Sequence, residues 1–164
     1  MKQLYIIRHA KSSWDFPELA DHKRPLKKRG KNDANIIGQV LKNEQISPEM
    51  IVSSHANRAL STGRIIASYL SFPQENIVIN ESLYFEGVSG IVKVLKQTDS
   101  FINSLMIFGH NPDFTELPGY LTGESLFHLP TCGAIGLELP IDNWKDIAPC
   151  IATQTFFYTP KMFK

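Results

Sequence analysis

Cysteine is scarce in this sequence, and the placement of the few that occur argues against two classes of protein. The chain has two cysteines, Cys132 and Cys150, which are isolated from each other and form no CxxC pair. Structural zinc sites and disulfide frameworks need more cysteines or closer spacing. The sequence therefore favours two buried thiols, with no metal site and no cofactor.

An excess of charge of either sign is also lacking. Lys and Arg together number 17 and Asp and Glu 16, which leaves a net charge of +1. This balance provides no broad positive field for a polyanion, so nucleic acid is not an expected partner, although a local anion site remains compatible with it. No apolar run approaches the ~20 residues that span a bilayer, and the first residues do not resemble a signal peptide. We expect a soluble, cytoplasmic protein with no membrane contact.

The order of apolar patterns predicts the fold class. The 164 residues, of which 43% are hydrophobic, suit a single domain over residues 1–164. Strand patterns occupy residues 4–7, 48–54, 76–80, 104–108, 134–139 and 151–158, and helix patterns begin at Pro25 and cover 56–70, 88–95 and the segment after Asn111-Pro112. Strands that alternate with helices predict an α/β fold of three layers, α/β/α, around a mainly parallel sheet.

Three of the predicted strands are followed by arginine or histidine side chains. The first leads into Arg8-His9, the second into a segment that contains Arg58, and the strand at 104–108 leads into His110. In open α/β sheets ligands bind at the carboxyl ends of the strands, so these side chains are expected to converge. Two arginines and two histidines beside helix N-termini suit a tetrahedral anion, above all a phosphoryl group.

Each of these residues also has a structural interpretation. A histidine at a strand end is often a partly buried structural residue, and a lone arginine is usually a solvated surface charge. We give the other histidines, His55, His22 and His128, a smaller chance of touching a ligand, and we interpret the basic run at residues 22–29 as a solvated face. Arg58 is less easily explained in this way, because a cation in the first turn of a helix opposes the helix dipole unless an anion compensates it.

The convergence suggests a mechanism that needs no metal. A neutral His9 attacks phosphorus, while Arg8, Arg58 and a protonated His110 stabilise the charge on the phosphoryl oxygens, and water then hydrolyses the phosphohistidine. A proton donor for the leaving group would be a carboxylic acid, and the candidates are Glu81, Glu86 and Asp15. The sequence leaves these three open, and each is also compatible with a solvated surface carboxylate.

Several motifs in order along the chain resemble the histidine phosphatase superfamily, also called the phosphoglycerate-mutase-like fold. Within it, the chain resembles the short phosphohistidine phosphatases of the SixA type. The motifs are LYIIRHAKSSW, DHKRPLKKRG, IVSSHANRALSTG, SLYFEG, MIFGHNPDFTELPGYLTG and LPTCGAIGLEL.

The resemblance implies roles that agree with those argued from the residues. It makes His9 the nucleophile, Arg8 and Arg58 phosphate ligands and His110 the second histidine of the pocket, with Glu81 near the position of the mutase proton donor. Ala10 replaces a common glycine, which matters only where φ is positive, and Lys27 replaces residues that cap a helix.

The implied substrate is a phosphorylated protein, for example a histidine-phosphotransfer domain. The chain lacks the long insertion that covers small substrates in mutases and acid phosphatases of the superfamily, so its pocket would suit a phosphorylated side chain of another protein. The alternatives are a phosphatase for a small phosphoester and a phosphate-binding module without turnover. Fold alone does not decide among them.

Overall fold

A computed structural model describes residues 1–125 and 128–164 of the chain. Within this part of the chain, the centre is a six-stranded sheet with the order β3-β2-β4-β1-β5-β6. Its strands are β1 (Lys2–Arg8), β2 (Met50–Ser53), β3 (Val78–Ile79), β4 (Ser104–Gly109), β5 (Ala134–Leu139) and β6 (Thr153–Tyr158). The first four run parallel, β5 is antiparallel to β1, and β6 is antiparallel to β5. The predicted mainly parallel sheet is thus confirmed.

Both faces of the central strands β4, β1 and β5 are buried, and β1 shows why its sequence is almost wholly apolar. Successive side chains of a strand point to opposite faces. Leu4 and Ile6 accordingly join one hydrophobic core, and Tyr5 and Ile7 join the other. A parallel strand covered on both sides therefore forms a continuous hydrophobic run rather than an alternating one.

Two pairs of helices cover these faces. The helices are α1 (Lys28–Asn43), α2 (Asn57–Tyr69), α3 (Gly87–Lys96) and α4 (Asp113–Thr122). Ile37 of α1 and Ile66 of α2 lie in the core of one face, and Ile91 of α3 and Phe114 of α4 lie in the core of the other. The arrangement is the predicted three-layer α/β/α fold, whereas the single-domain organisation over residues 1–164 stays a prediction. No helix in the described ranges is long and apolar enough to cross a bilayer.

The first helix begins later than the sequence predicts. Pro25 does not open α1, which starts at Lys28, because the residues before it pair with the loop that follows β1. The amide of Lys27 donates to the carbonyl of Lys11 at 2.9 Å, and that of Ser13 donates to the carbonyl of Pro25 at 2.8 Å. Lys27 is the N-cap residue and makes no side-chain cap hydrogen bond, as expected from the loss of a capping side chain there.

A glycine allows the start of α1 to lie against the same loop. A Cβ on Gly30 would clash with the carbonyl oxygen of Lys11, so a larger residue would push the helix away from the loop. Ala10, immediately before Lys11, is not among the residues with positive φ in the described part of the chain. The replacement of glycine by alanine at position 10 therefore costs no backbone strain.

The loop that leads into α4 is held in place by the side chain of Asn111. Pro112 occupies the N-cap position, and the Asn111 side chain caps no backbone amide. Its Nδ2 instead donates to the carbonyl of Leu129 at 2.8 Å, and its Oδ1 accepts from the hydroxyl of Thr115 at 3.0 Å. Asn111 thereby ties the loop after β4 to the segment before β5.

The register of the central strands brings their carboxyl ends together. Arg8 at the end of β1 is paired with Gly109 at the end of β4, and Ser53 at the end of β2 is paired with Phe108. The chain segments that leave these three adjacent strands therefore start at one edge of the sheet. The predicted convergence is a consequence of this register.

Candidate active site

A cavity of about 290 Å³ lies at this edge of the sheet. Residues that follow β1, β2 and β4 line it together with a loop of residues 11–24. The lining comprises Arg8, His9, Lys11, Ser12, Trp14, Asp21, Arg24, Arg58, Phe85, His110, Asn111 and Thr131. All four residues that the sequence predicts to converge, Arg8, His9, Arg58 and His110, are among them.

His9 presents one ring nitrogen to the cavity side. Its Nδ1 lies 2.7 Å from the backbone carbonyl of Ala10, a contact that requires the proton to be on Nδ1. Nε2 then carries the free lone pair. Burial lowers the pKa of His9 to about 3; the Ala10 hydrogen bond opposes this shift, and the charges of Arg58, Arg8 and Arg24 add to it. His9 is therefore a neutral imidazole near pH 7, as a nitrogen nucleophile must be.

His110 lies beside His9, with the two ring centroids 5.2 Å apart. Its Nε2 is 2.7 Å from the hydroxyl of Ser54. The sequence predicts a protonated His110, and here the structure differs. Burial, followed by the effects of His9 and Arg58, lowers the pKa of His110 to about 2. A positively charged imidazole is unfavourable in a buried site that already holds several guanidinium groups.

Arg8 and Arg58 bring two positive charges to the cavity. Burial lowers the pKa of Arg8, and the nearby charge of Arg58 adds to that effect. Arg8 Nη1 donates to the carbonyl of Leu129 at 3.2 Å, and its buried Nε has no hydrogen-bond partner among the described residues. Buried donors without partners are rare, so this part of Arg8 is suited to an incoming oxygen atom.

Asp21 is the anion that compensates Arg58 in the first turn of α2. Arg58 Nη2 contacts Asp21 Oδ2 at 2.9 Å, and Arg58 Nη1 donates to the Asp21 backbone carbonyl at 2.8 Å. The hydroxyl of Tyr84 donates to the same Oδ2 at 2.5 Å. Desolvation alone would raise the pKa of Asp21, but the bonds from Tyr84 and Arg58 and the charges of Arg58 and Arg24 lower it to about 2.

Arg24 is a cavity residue that the sequence interpretation missed. Residues 22–29 are predicted to form a solvated basic face, which is wrong for Arg24, because this side chain is buried and lines the cavity. It pairs with Asp21 at 3.0 Å and bonds to Ser12 and Ser13, and its guanidinium carbon lies 3.4 Å from the centre of the Trp14 ring. The DHKR segment of the family motif was the available signal.

None of the three predicted acid candidates lines the cavity. Glu81, Glu86 and Asp15 are all exposed, and Asp15 instead borders a separate surface depression beside Lys27 and Lys28. Glu81 therefore does not line the cavity, and its role as proton donor stays a prediction. The short helical turn at Glu81–Leu83 buries Leu83, while Glu81 stays on its exposed side.

The remaining histidines lie around the cavity rather than among its lining residues. His128 Nε2 is 3.4 Å from Arg8 Nη1. His55 packs between two rings, with His22 at 5.5 Å and Tyr84 at 4.7 Å between centroids. The smaller chance of ligand contact that the sequence gives these three residues stays a prediction. Within the described ranges, no group of three or more His, Cys, Asp or Glu side chains could hold a metal ion.

The chain is similar to known proteins in both its sequence and its fold. The sequence profile of the histidine phosphatase superfamily (branch 1) matches residues 4–83. An uncharacterized chloroplastic protein of Arabidopsis thaliana is 32% identical over 155 residues, covering 88% of this chain and 70% of the relative. The phosphohistidine phosphatase SixA of Escherichia coli is 28% identical over 124 residues, which cover 74% of this chain and 73% of the relative.

A solved structure of a protein histidine phosphatase SixA complexed with tungstate superposes with a TM-score of 0.85 at 21% identity, covering 99% of each chain. The chain belongs to the histidine phosphatase superfamily, and its fold is the phosphoglycerate-mutase-like fold of SixA-type members. It is a phosphatase.

Proposed function

We propose that this protein removes the phosphoryl group from a phosphorylated histidine of another protein, with His9 as the nucleophile. One observation supports this substrate over a phosphoester. Among the described residues that line the cavity, the only carboxyl group is that of Asp21, and a pKa of about 2 keeps it ionised near pH 7. The cavity therefore offers no carboxylic acid that could donate a proton.

The missing acid matters differently for the two kinds of leaving group. A phosphoester releases an alkoxide, which is a strong base and needs a proton as the bond breaks, a contribution of typically ~10²–10⁴-fold in rate. The imidazole of phosphohistidine departs with little such help, because its other ring nitrogen can already carry a proton. A cavity that holds arginines and neutral imidazoles, and whose one carboxyl group among the described lining residues is ionised, suits phosphohistidine as the substrate.

The proposed reaction has two displacements at phosphorus. His9 Nε2 attacks, a new N–P bond forms, and the bond from phosphorus to the substrate imidazole breaks with its electron pair left on that ring. Arg8, Arg58 and His110 stabilise the negative charge on the phosphoryl oxygens. Water then attacks the phosphohistidine formed on His9, which releases inorganic phosphate and returns the lone pair to Nε2.

The mouth of the cavity also suits a ring-bearing substrate. Trp14 and Phe85 both line it, and their side chains are 69% and 48% exposed. Phe85 holds its position with φ at +59°, an unfavourable conformation for an aromatic residue, and its ring lies 4.8 Å from that of His110. A flat side chain attached to the bound phosphoryl group can pack against these rings.

The size of the cavity is consistent with a substrate carried by a protein. Its volume of about 290 Å³ lies just below the ~300–1,000 Å³ typical of small-molecule sites. It has room for a phosphoryl group and the ring that carries it, so most of a large substrate would remain outside.

The predicted cytoplasmic location stays a prediction.

Phosphate release from a phosphorylated histidine-phosphotransfer domain tests the proposal. We expect rapid release from that protein and much slower release from a panel of small phosphoesters at equal concentration. The His9→Ala variant is the control for non-enzymatic hydrolysis. Rapid turnover of a small phosphoester with no activity on the phosphoprotein would assign the site to the alternative substrate class.

A further inference from the structure

The two cavity histidines use different ring nitrogens for their hydrogen bonds to the protein. His9 donates from Nδ1 to the carbonyl of Ala10, which leaves a lone pair on Nε2. In His110 the paired nitrogen is Nε2, while Nδ1 is buried and has no hydrogen-bond partner among the described residues. Whether Nδ1 of a neutral His110 carries the proton depends on whether the Ser54 hydroxyl donates a hydrogen bond to His110 Nε2 or accepts one from it.

The hydrogen bonds of Ser54 determine the direction of its contact with His110. Ser54 follows β2, is fully buried, and has its Oγ 2.7 Å from His110 Nε2. The same Oγ accepts from the backbone amide of Ala56 at 3.3 Å. In the described part of the chain, the only acceptor recorded for the Ser54 hydroxyl proton is His110 Nε2.

The reverse arrangement leaves a buried hydroxyl unpaired. If His110 donated from Nε2, Ser54 Oγ would accept two hydrogen bonds, and its own proton would have no recorded acceptor in a fully buried position. An unpaired buried donor is unfavourable, and native structures largely avoid it. The favoured direction is from Ser54 to His110, which puts the ring proton of a neutral His110 on Nδ1.

We propose that Ser54 is a positioning residue that fixes His110 as its Nδ1–H tautomer and so supplies a neutral N–H donor for a phosphoryl oxygen. One imidazole of the cavity then provides the attacking lone pair, and the other provides a donor for the charge that builds up on oxygen. With the opposite tautomer, a lone pair on Nδ1 would face that negative charge. The catalytic part of the proposal rests on the proposed role of His110 at phosphorus.

The same arrangement explains how a neutral histidine can stabilise a bound anion, because its Nδ1–H group donates a hydrogen bond. A donor fixed in advance needs no reorganisation when charge develops, which is why oxyanion-hole donors contribute ~10²–10³-fold in kcat. Removing Ser54 would not delete the donor, because a free ring can still reach the Nδ1–H form. We therefore expect Ser54→Ala to lower kcat by about 10–100-fold, with a smaller change in KM.

The tautomer can be measured without any substrate. Long-range ¹H–¹⁵N NMR spectra of the ¹⁵N-histidine-labelled protein distinguish the two neutral forms of each ring. We expect His110 of the wild-type protein to carry its proton on Nδ1, and Ser54→Ala to shift the population toward Nε2–H. Ser54→Thr keeps the hydroxyl and should retain the wild-type tautomer.

Ser53→Ala is the matched control. Ser53 is equally buried, but its hydroxyl donates to the backbone carbonyl of Ser54 rather than to a histidine. We expect this variant to keep the His110 tautomer and to lose much less activity than Ser54→Ala. The wild-type spectrum and Ser54→Thr keep the test decisive if Ser54→Ala does not fold.

Three outcomes would overturn the proposal. The first is a wild-type His110 with its proton on Nε2, and the second is a tautomer that Ser54→Ala leaves unchanged. The third is a shifted tautomer with unchanged kcat on any phosphorylated substrate that the enzyme turns over, which would remove the catalytic part. Because the spectra require no substrate, failure of the proposed phosphohistidine specificity would leave the tautomer assignment intact.

Discussion

Burial of two neutral histidines should make the protein lose stability as the pH falls from 7 to 5. The pKa values of His9 and His110 are lowered from 6.5 to about 3 and about 2. Above pH 6.5 these rings are neutral in both the folded and the unfolded chain, so they add no pH dependence. Below pH 6.5 these two histidines bind protons in the unfolded chain but not in the folded chain. The free energy of unfolding therefore decreases as the pH falls.

The size of the loss follows from the proton linkage. Each such histidine contributes about 1.4 kcal/mol per pH unit below its unfolded pKa. About 1.5 units of the interval from pH 7 to pH 5 lie below that pKa, so each ring costs about 2 kcal/mol and the two together about 4 kcal/mol. Such a loss is a large part of the ~5–15 kcal/mol by which a typical domain is stable.

Urea unfolding of the wild-type protein and of His9→Gln at pH 7 and pH 5 measures this effect. We expect the variant to lose about 2 kcal/mol less than the wild-type protein between the two pH values, because one of the two linked histidines is gone. Ser53→Ala is the control variant, since Ser53 has no titratable side chain and lies outside the cavity lining, and it should show the wild-type loss. Equal losses in His9→Gln and the wild-type protein would refute the claim that the fold holds His9 neutral.

Four further predictions concern the site. His9→Ala should abolish turnover with an unchanged circular dichroism spectrum, because it removes the attacking atom; near wild-type activity in a folded variant would contradict the nucleophile assignment. Activity should survive EDTA, and loss on chelation with recovery on adding metal would contradict charge stabilisation by arginine and histidine. Glu81→Gln should change phosphohistidine hydrolysis less than about 3-fold, because Glu81 is exposed and outside the cavity lining, whereas a loss near ~10²-fold would identify it as the acid. A crystal soaked with tungstate should show the anion between Arg8, His9, Arg58 and His110, and an anion elsewhere would disprove their convergence on one ligand.

The sequence by itself determined the layers of the fold and the four central residues of the site. Apolar runs and helical spacing are local properties, so strands and helices can be predicted from neighbouring residues. The carboxyl ends of adjacent parallel strands meet at one edge of the sheet, which places Arg8, His9, Arg58 and His110 together without knowledge of any side-chain contact. The family motifs support the same four residues.

Only the tertiary structure decided how those four residues are surrounded and which protons they carry. Arg24 lines the cavity and Asp21 pairs with Arg58 because the loop after β1 folds back over the strand ends, a path that no local periodicity predicts. The neutral state of His110 depends on burial, and its tautomer depends on Ser54, which lies 56 positions away in the chain. Burial and hydrogen bonding between distant residues are properties of the packed chain, and they control the chemistry of residues whose identity the sequence already reveals.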